Sequence, residues 1–287
     1  MSDLILVLGG GGQLGKEWSR FLEENGYNFK AYGSKELDIC DQEQLTGAVE
    51  ELSPALIINA AAYTNVDEAE DNRDRAFQVN GEAVKYLADA CAQNDVPLIH
   101  YSTDYVLPGR KEDLKHYPQG YPEETGIDPV NVYGESKAAG ERYLQERMDD
   151  YLLIRVSWLC GQYGNNFVKT MLKVGRERDQ LKVVDDQLGS PSFADETVSI
   201  SHELFEKGAT GIYHVTSGGL LSWYDFAMEI FGERKIDVRV DPVPSEQYPT
   251  KAPRPRFSKL ATTKLEAEGI APSYWHEGLW RLLSQMQ

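Results

Sequence analysis

Tyr133 and Lys137 stand four residues apart in the stretch Tyr-Gly-Glu-Ser-Lys. At that spacing two side chains share one face of a helix. An ammonium beside a phenol favours the phenolate, which lowers the tyrosine pKa from its ordinary value of about 10. A phenol tuned in this way can hand a proton to a carbonyl oxygen while a hydride reaches the carbon. Thr103 sits in Tyr101-Ser-Thr-Asp-Tyr105 at the end of an apolar run, where its hydroxyl could hold the same oxygen. With 16 tyrosines in the chain, a lone Tyr-x-x-x-Lys carries little weight. Its placement carries more, since it opens a helical segment after Asp128-Pro129 and between two strand-like runs.

A hydride needs a carrier. The run Leu4-Ile-Leu-Val-Leu8 is wholly apolar, and glycines follow at 9, 10, 11, 12 and 15. Leu14, Trp18, Phe21 and Leu22 then recur at helical spacing, and Gly26 can close that helix. Strand, glycine turn and helix together make a dinucleotide fingerprint. Without Cβ atoms the backbone can approach a pyrophosphate, and the helix N-terminus favours an anion. An acid about 20 residues past the glycines reads the adenosine ribose of NAD. Here the segment is Ala31-Tyr-Gly-Ser34-Lys35, with no acid before Glu36. Ser34 and Lys35 could instead meet a 2′-phosphate, so NADP(H) is the preferred carrier, or NADP(H) and NAD(H) are both used.

The elements that must position these groups follow one rhythm. Strands are expected at Leu4 to Leu8, Phe29 to Tyr32, Leu56 to Ile58, Val96 to Tyr101 and Leu152 to Val156. Between them come a helix opened by a capping box of Asp41 and Gln44 and stopped by Pro54, and a helical stripe of Phe77, Val84, Leu87, Ala88 and Cys91. Apolar strands alternating with amphipathic helices imply an α/β fold, a Rossmann-type doubly wound parallel sheet covered on both faces. Past Trp158 the rhythm breaks into a helix from Phe167 to Arg176, a strand from Leu181 to Val184, a further strand at Ile212 to Val215, and proline-bearing loops. Residues 1–157 with about 196–215 are therefore expected to form the NAD(P)-binding domain. About 158–195 with 216–287 should form a smaller C-terminal substrate-binding lobe.

The 287 residues are long enough for a full core, and 41% hydrophobic with 26% charged residues excludes disorder. Lys and Arg number 29 against 46 Asp and Glu, a net charge of −17 that repels nucleic acid and anionic lipid. Three scattered cysteines, Cys40, Cys91 and Cys160, and no long apolar segment point to a reducing, cytoplasmic setting. The five histidines show no ligand spacing, so no metal is expected. The acidic cluster Asp67-Glu-Ala-Glu-Asp71 reads as a solvated helix face. Lys251, Arg254, Arg256 and Lys259 make a basic run that could clamp a nucleotide diphosphate, and Trp223 and Phe226 behind a Ser222 cap read as packing.

With these residues in view the chain resembles the extended short-chain dehydrogenases/reductases. The matching stretches are Gly12-Gln-Leu-Gly15, Asn59-Ala-Ala-Ala-Tyr-Thr64, Tyr101-Ser-Thr-Asp-Tyr-Val106, Asn131-Val-Tyr-Gly-Glu-Ser-Lys137, Arg155-Val-Ser-Trp158, Gly164-Asn-Asn-Phe167, and Arg254-Pro255 with Ser258. They span nearly the whole chain. The resemblance implies Tyr133 as proton donor, Lys137 as its tuner and nicotinamide-ribose ligand, and Thr103 as third member of the triad. It implies that Gly9, Gly12, Gln13, Leu14 and Gly15 surround the pyrophosphate, that Asp38 and Ile39 flank the adenine, and that Ala62, Tyr63, Thr64 and Tyr101 contact the cofactor. Thr103, Asp104, Trp158, Asn166 and Arg254 are the implied substrate contacts, and the implied substrate is a dTDP-linked 4-keto-6-deoxyhexose. Ala31 stands where some relatives carry the ribose-binding Asp. Dehydratases of this superfamily carry Asp-Glu after the threonine, whereas Asp104 is followed by Tyr105. Epimerases share Tyr and Lys and stay open as an alternative, as does a non-catalytic NADP-binding regulatory subunit. A homodimer is also left open.

Overall fold

The computed structural model describes residues 3–286. Its strands are β1 (Ile5–Leu8), β2 (Phe29–Tyr32), β3 (Leu56–Asn59), β4 (Leu98–Thr103), β5 (Tyr151–Val156), β6 (Gln180–Val184), β7 (Leu188–Gly189), β8 (Gly211–His214), β9 (Leu221–Ser222) and β10 (Arg239–Val243). Its helices are α1 (Gln13–Glu24), α2 (Gln42–Leu52), α3 (Val66–Ala69), α4 (Arg73–Phe77), α5 (Ala83–Gln93), α6 (Asp113–His116), α7 (Val132–Arg147), α8 (Phe167–Glu177), α9 (Ala194–Glu206), α10 (Trp223–Arg234), α11 (Thr263–Ala267) and α12 (Trp275–Gln285). Six strands form one parallel sheet in the order β2-β1-β3-β4-β5-β8. The chain leaves β1 in one direction and returns through α2 to β3 on the other side. The sheet therefore reverses its winding between β1 and β3, and a crevice opens beyond their carboxyl ends.

Both faces of the sheet are covered, which is why its strands read as unbroken apolar runs. Ile5 and Val7 point into a cluster with Trp18 and Leu22 of α1 and Val198 and Leu204 of α9. Leu6 and Leu8 point the other way, toward Leu45 and Val49 of α2, Leu87 and Cys91 of α5, and Leu144 of α7. The rest of the chain builds around β6 paired with β10, β7 paired with β9, and α8, α10 and α12, with Phe226, Ile230 and Leu279 buried among them. The tail does not stay there. Leu265 and Ile270, expected in the smaller lobe, pack in the sheet cluster with Tyr213. No helix among the described residues is long and apolar enough to cross a membrane.

Two local expectations are corrected. Asp41 caps α2 by accepting from the Gln44 N–H at 3.1 Å, but the Gln44 side chain accepts from Asp38 N–H at 2.7 Å, so the box is not reciprocal. The stripe from Phe77 to Cys91 is not one α-helix, because a π-helical turn at Gln78–Glu82 separates α4 from α5. Such a turn often re-aims a side chain at a functional site. Here it turns Asn80 inward, where its amide accepts from Tyr63 N–H at 2.8 Å and donates to Ser136 Oγ at 2.9 Å. The loop after β3 is thereby tied to α7.

Helix α7 is held from below by a buried ion pair. Arg155 of β5 meets Glu141 of α7 through two hydrogen bonds, at 2.7 and 3.0 Å, and both side chains are almost fully buried. Arg155 also donates to the Glu123 carbonyl at 3.2 Å. Removing one partner strands the other charge in a low-dielectric interior, whereas removing both does not. Arg155→Met is expected to cost about 3–5 kcal/mol in urea unfolding, and adding Glu141→Leu should restore most of that loss. An equal loss in single and double variants would show that the pair does not act as a unit.

Candidate active site

The glycine turn follows from steric necessity. Gly9 has φ +76°, and a Cβ there would stand 2.5 Å from Ala61 N. A Cβ on Gly15 would meet the Gly9 carbonyl at 2.2 Å, so α1 can begin this close to β1 only with glycine at that place. The turn and the segment after β3 together line two cavities that share Gly12, Ala60, Ala61 and Ala62 as a common wall.

The first cavity, about 340 Å³, is lined by Gly9, Ser34, Asp38, Ile39, Tyr63 and Arg75 among others. The second, about 620 Å³, is lined by Gln13, Leu14, Thr64, Tyr101, Thr103, Asp104, Tyr133, Lys137 and Trp158 among others. Residues drawn from widely separated segments thus converge on one crevice over the β1/β3 switch point. An open glycine cradle and two joined cavities fit a dinucleotide with a substrate beside it.

Three candidates lie off the walls, and one is hidden. Lys35 is exposed and lines neither cavity. Asn166 caps α8 by accepting from Lys169 N–H at 3.1 Å, and its amide donates to Gln13 Oε1 at 2.8 Å, so it holds a wall residue and is not itself part of the wall. Arg254 is engaged elsewhere. Its guanidinium donates to Asp67 at 2.7 Å and to the Ala252 carbonyl at 2.9 Å. Ala252 N–H and Arg254 hold the Asp67 carboxyl below its ordinary range, although burial works against them. The acidic cluster and the basic run, read apart as a solvated face and a phosphate clamp, pair with each other, and Lys251 with Asp71 adds a second tie. Gly15 lies beneath the turn, packed on the Gly9 carbonyl.

Tyr133 opens α7, just behind the Asn131 cap, whose side chain accepts from Gly134 N–H at 2.8 Å. The tyrosine ring meets Tyr105 edge-on at 5.5 Å. The phenol pKa is not lowered, as the Tyr-Lys spacing suggested, but raised. Burial is the largest cause and the Asp104 carboxylate adds to it, while the Thr103 hydroxyl works the other way. The Lys137 ammonium is spent on the Tyr101 carbonyl, at 2.7 Å. Burial brings its pKa down to about 8, against the pull of Glu141. Tyr101 accordingly faces the crevice with its backbone. Its hydroxyl is buried on the other side of the sheet, accepting from Trp18 Nε1 at 2.8 Å and donating to Ser201 Oγ at 2.9 Å.

Thr103 Oγ1 donates to Asp104 Oδ1 at 2.7 Å and accepts from Tyr105 N–H at 3.2 Å. Asp104 is only 3% exposed, and its second oxygen has no hydrogen-bond partner among the described residues. Burial pushes its carboxyl up to about 7, with the Thr103 hydroxyl opposing. Trp158 adopts φ +47°, a strained conformation for a bulky side chain. It is held there by Ser258, which accepts from Nε1 at 3.1 Å, and by Trp223, stacked at 3.6 Å. Trp223 therefore packs as expected but also forms part of the cavity wall. Tyr105, Val66, Asn165 and Arg75 are wall residues that the sequence reading did not select. Tyr105 and Asn165 lie inside stretches already quoted for their neighbours, whereas no pattern or spacing marks Val66 or Arg75. Among the described residues no group of three or more His, Cys, Asp or Glu could hold a metal.

Residues 2–287 match the family described as the RmlD substrate binding domain. A dTDP-4-dehydrorhamnose reductase of Aggregatibacter actinomycetemcomitans is 42% identical over 96% of this chain and 96% of its own. The spore coat polysaccharide biosynthesis protein SpsK of Bacillus subtilis is 37% identical over 98% of this chain and 97% of its own. The crystal structure of a dTDP-4-dehydrorhamnose reductase from Bacillus anthracis in complex with NADP superimposes with TM-score 0.94 at 38% identity, covering 99% of this chain and 100% of the other.

The raised Asp104 pKa makes stability depend on pH. A buried carboxyl that titrates near 7 instead of at its ordinary value of about 3.9 leaves the native state holding more protons than the unfolded chain between those values. Stability from this group therefore falls as pH rises from about 4 to about 7 and is flat above. Urea midpoints of the wild type and Asp104→Asn should diverge through that window, with the wild type losing ground. A difference that does not change with pH would mean that Asp104 ionises as an ordinary carboxyl.

Proposed function

The chain belongs to the RmlD substrate binding domain family, and from that premise we propose that it is an NADPH-dependent oxidoreductase of nucleotide-sugar synthesis. It reduces the 4-keto group of dTDP-4-dehydro-β-L-rhamnose to give dTDP-L-rhamnose. The observation that carries this reading is the convergence of Tyr133, Lys137 and Thr103 on the walls of one cavity that adjoins the glycine cradle.

When bound, the nicotinamide supplies a hydride to carbon 4 of the sugar. The chain's own groups deal with the charge that appears on oxygen 4. Tyr133, its pKa raised by burial, holds its proton fully at neutral pH. As the hydride reaches carbon 4, the basicity that develops on oxygen 4 is met by the proton of the Tyr133 hydroxyl, which passes to that oxygen and leaves a phenolate. The Lys137 ammonium, held on the Tyr101 carbonyl and lining the same cavity, is placed to hold the nicotinamide ribose. Thr103 orients the oxygen, and Asp104, its carboxyl pushed up to about 7 by burial, carries less than a full negative charge at neutral pH. The stacked Trp158 and Trp223 offer an apolar floor to the sugar nucleotide and exclude water.

Tyr105 supports reduction over dehydration. It fills the place of a second carboxylate next to Asp104 and packs against Tyr133. Addition of dTDP-4-dehydro-β-L-rhamnose to the protein should oxidise NADPH mole for mole with product. An epimerase would leave the cofactor unchanged, and a regulatory subunit would show no turnover. Tyr133→Phe should lower kcat by about 10²–10⁴ while leaving NADPH affinity within a few-fold of the wild type. Unchanged turnover in that variant would remove the phenol from the mechanism.

A further inference from the structure

The smaller cavity ends at a cation whose partner is missing. Arg75 is the one Lys or Arg among the residues lining it. The side chain comes from α4, far along the chain from the end of β2, where an adenosine ribose is ordinarily read. Its Nη1 donates to Gln78 Oε1 at 2.9 Å and lies 3.7 Å from Cys40 Sγ, and it makes no ion pair among the described residues. The neighbours differ. Arg73 pairs with Glu135 at 2.7 Å, and Lys251, Arg254 and Arg256 are all matched to carboxylates. In a chain of net charge −17, an exposed guanidinium that lines a ligand cavity and hydrogen-bonds only neutral groups is set up to receive an anion.

The other lining residues limit which anion fits. Ser34, just past β2, lines the same cavity and offers a hydroxyl. Glu36 lies off that wall, its carboxylate accepting from Gly33 N–H at 2.9 Å. Asp38 is the one acid among the lining residues, and its carboxylate is turned to Cys40 N–H, from which it accepts at 3.0 Å. Lys35, next to Ser34, is exposed and off the wall. A phosphate monoester on the 2′-oxygen of an adenosine ribose has the charge and the flat array of oxygens that a guanidinium grips with two hydrogen bonds.

We propose that Arg75, assisted by Ser34, reads the 2′-phosphate of the dinucleotide and so sets the preference for NADPH over NADH, with Lys35 a bystander. The inference rests on the NAD(P)H-dependent reading above and goes beyond it in naming the residue that tells the two carriers apart.

The test needs no catalysis. Binding of adenosine 2′,5′-bisphosphate and of 5′-AMP is measured by calorimetry on the intact protein, for the wild type, Arg75→Gln and Lys35→Gln. The wild type should bind the bisphosphate at least tenfold more tightly than AMP. Arg75→Gln should weaken the bisphosphate about 10- to 100-fold, the range for a hydrogen-bonded charged group, and leave AMP within about twofold. Lys35→Gln should change neither. The KM for NADPH should rise in parallel in Arg75→Gln, and by more than the KM for NADH. If Arg75→Gln keeps the full preference for the bisphosphate, or Lys35→Gln abolishes it, the proposal is overturned while the dinucleotide reading stands. A wild type that binds neither nucleotide overturns both.

Discussion

A buried ammonium must find an oxygen, and the oxygen that Lys137 finds is the carbonyl of Tyr101 at the end of β4. That one contact sets the register between the helix that carries the phenol and the strand that carries the threonine. An unpaired charge at this depth costs several kcal/mol. Any shift of α7 along β4 that broke the contact would meet that penalty. Glu141, one turn further along α7, adds an opposite charge, and Glu141 is itself held by Arg155 of β5. Strand, helix and strand are thus locked through charges that cannot be exposed or dropped singly. Tyr133, four residues before Lys137, is placed by the same lock.

Charge also organises the rim of the crevice. The chain is strongly acidic, yet its cations are not scattered evenly among the acids. Those at 251, 254 and 256 are matched to Asp71, Asp67 and Asp186, which straps the proline-rich tail across to α3 and to the loop after β6. These are partly exposed pairs, each of modest worth in water, but they tie segments almost two hundred residues apart in sequence. The tail in turn supplies Ser258, on which the strained Trp158 hangs. The strap and the indole floor of the cavity are therefore parts of one arrangement. Gln13 makes a similar tie from the glycine turn, reaching the Leu159 carbonyl and Asn166.

Inside the crevice the electrostatics run opposite to a simple Tyr-Lys pair. Burial holds the phenol protonated and lifts Asp104 toward neutrality. Such a site holds protons close to where an alkoxide would form, with a carboxyl lifted to about 7 and a threonine hydroxyl in hydrogen-bonded sequence beside the donor. Loss of water from the second cavity on ligand binding would strengthen each of these interactions.

Periodicity and glycine placement were enough to read the parallel sheet, the cradle and the switch point, because each is a local consequence of apolar alternation and missing Cβ atoms. Tyr133, Lys137 and Thr103 could be picked out as candidates from their offsets to a strand end or a helix start, and Asp104 only from the family resemblance; all four line the second cavity. Partnership was not legible. Whether Arg254 faces a phosphate or Asp67, whether Lys137 faces the phenol or a carbonyl, and whether Trp223 packs or lines a wall depend on what arrives from distant segments. The π turn that aims Asn80, and the placing of Arg75 in place of Lys35 at the cavity mouth, have no counterpart in pattern or spacing. A sequence specifies which groups can carry charge. Only the folded chain decides which charges are already neutralised and which are left for a ligand, because Coulomb energy and desolvation depend on distances that the backbone sets last.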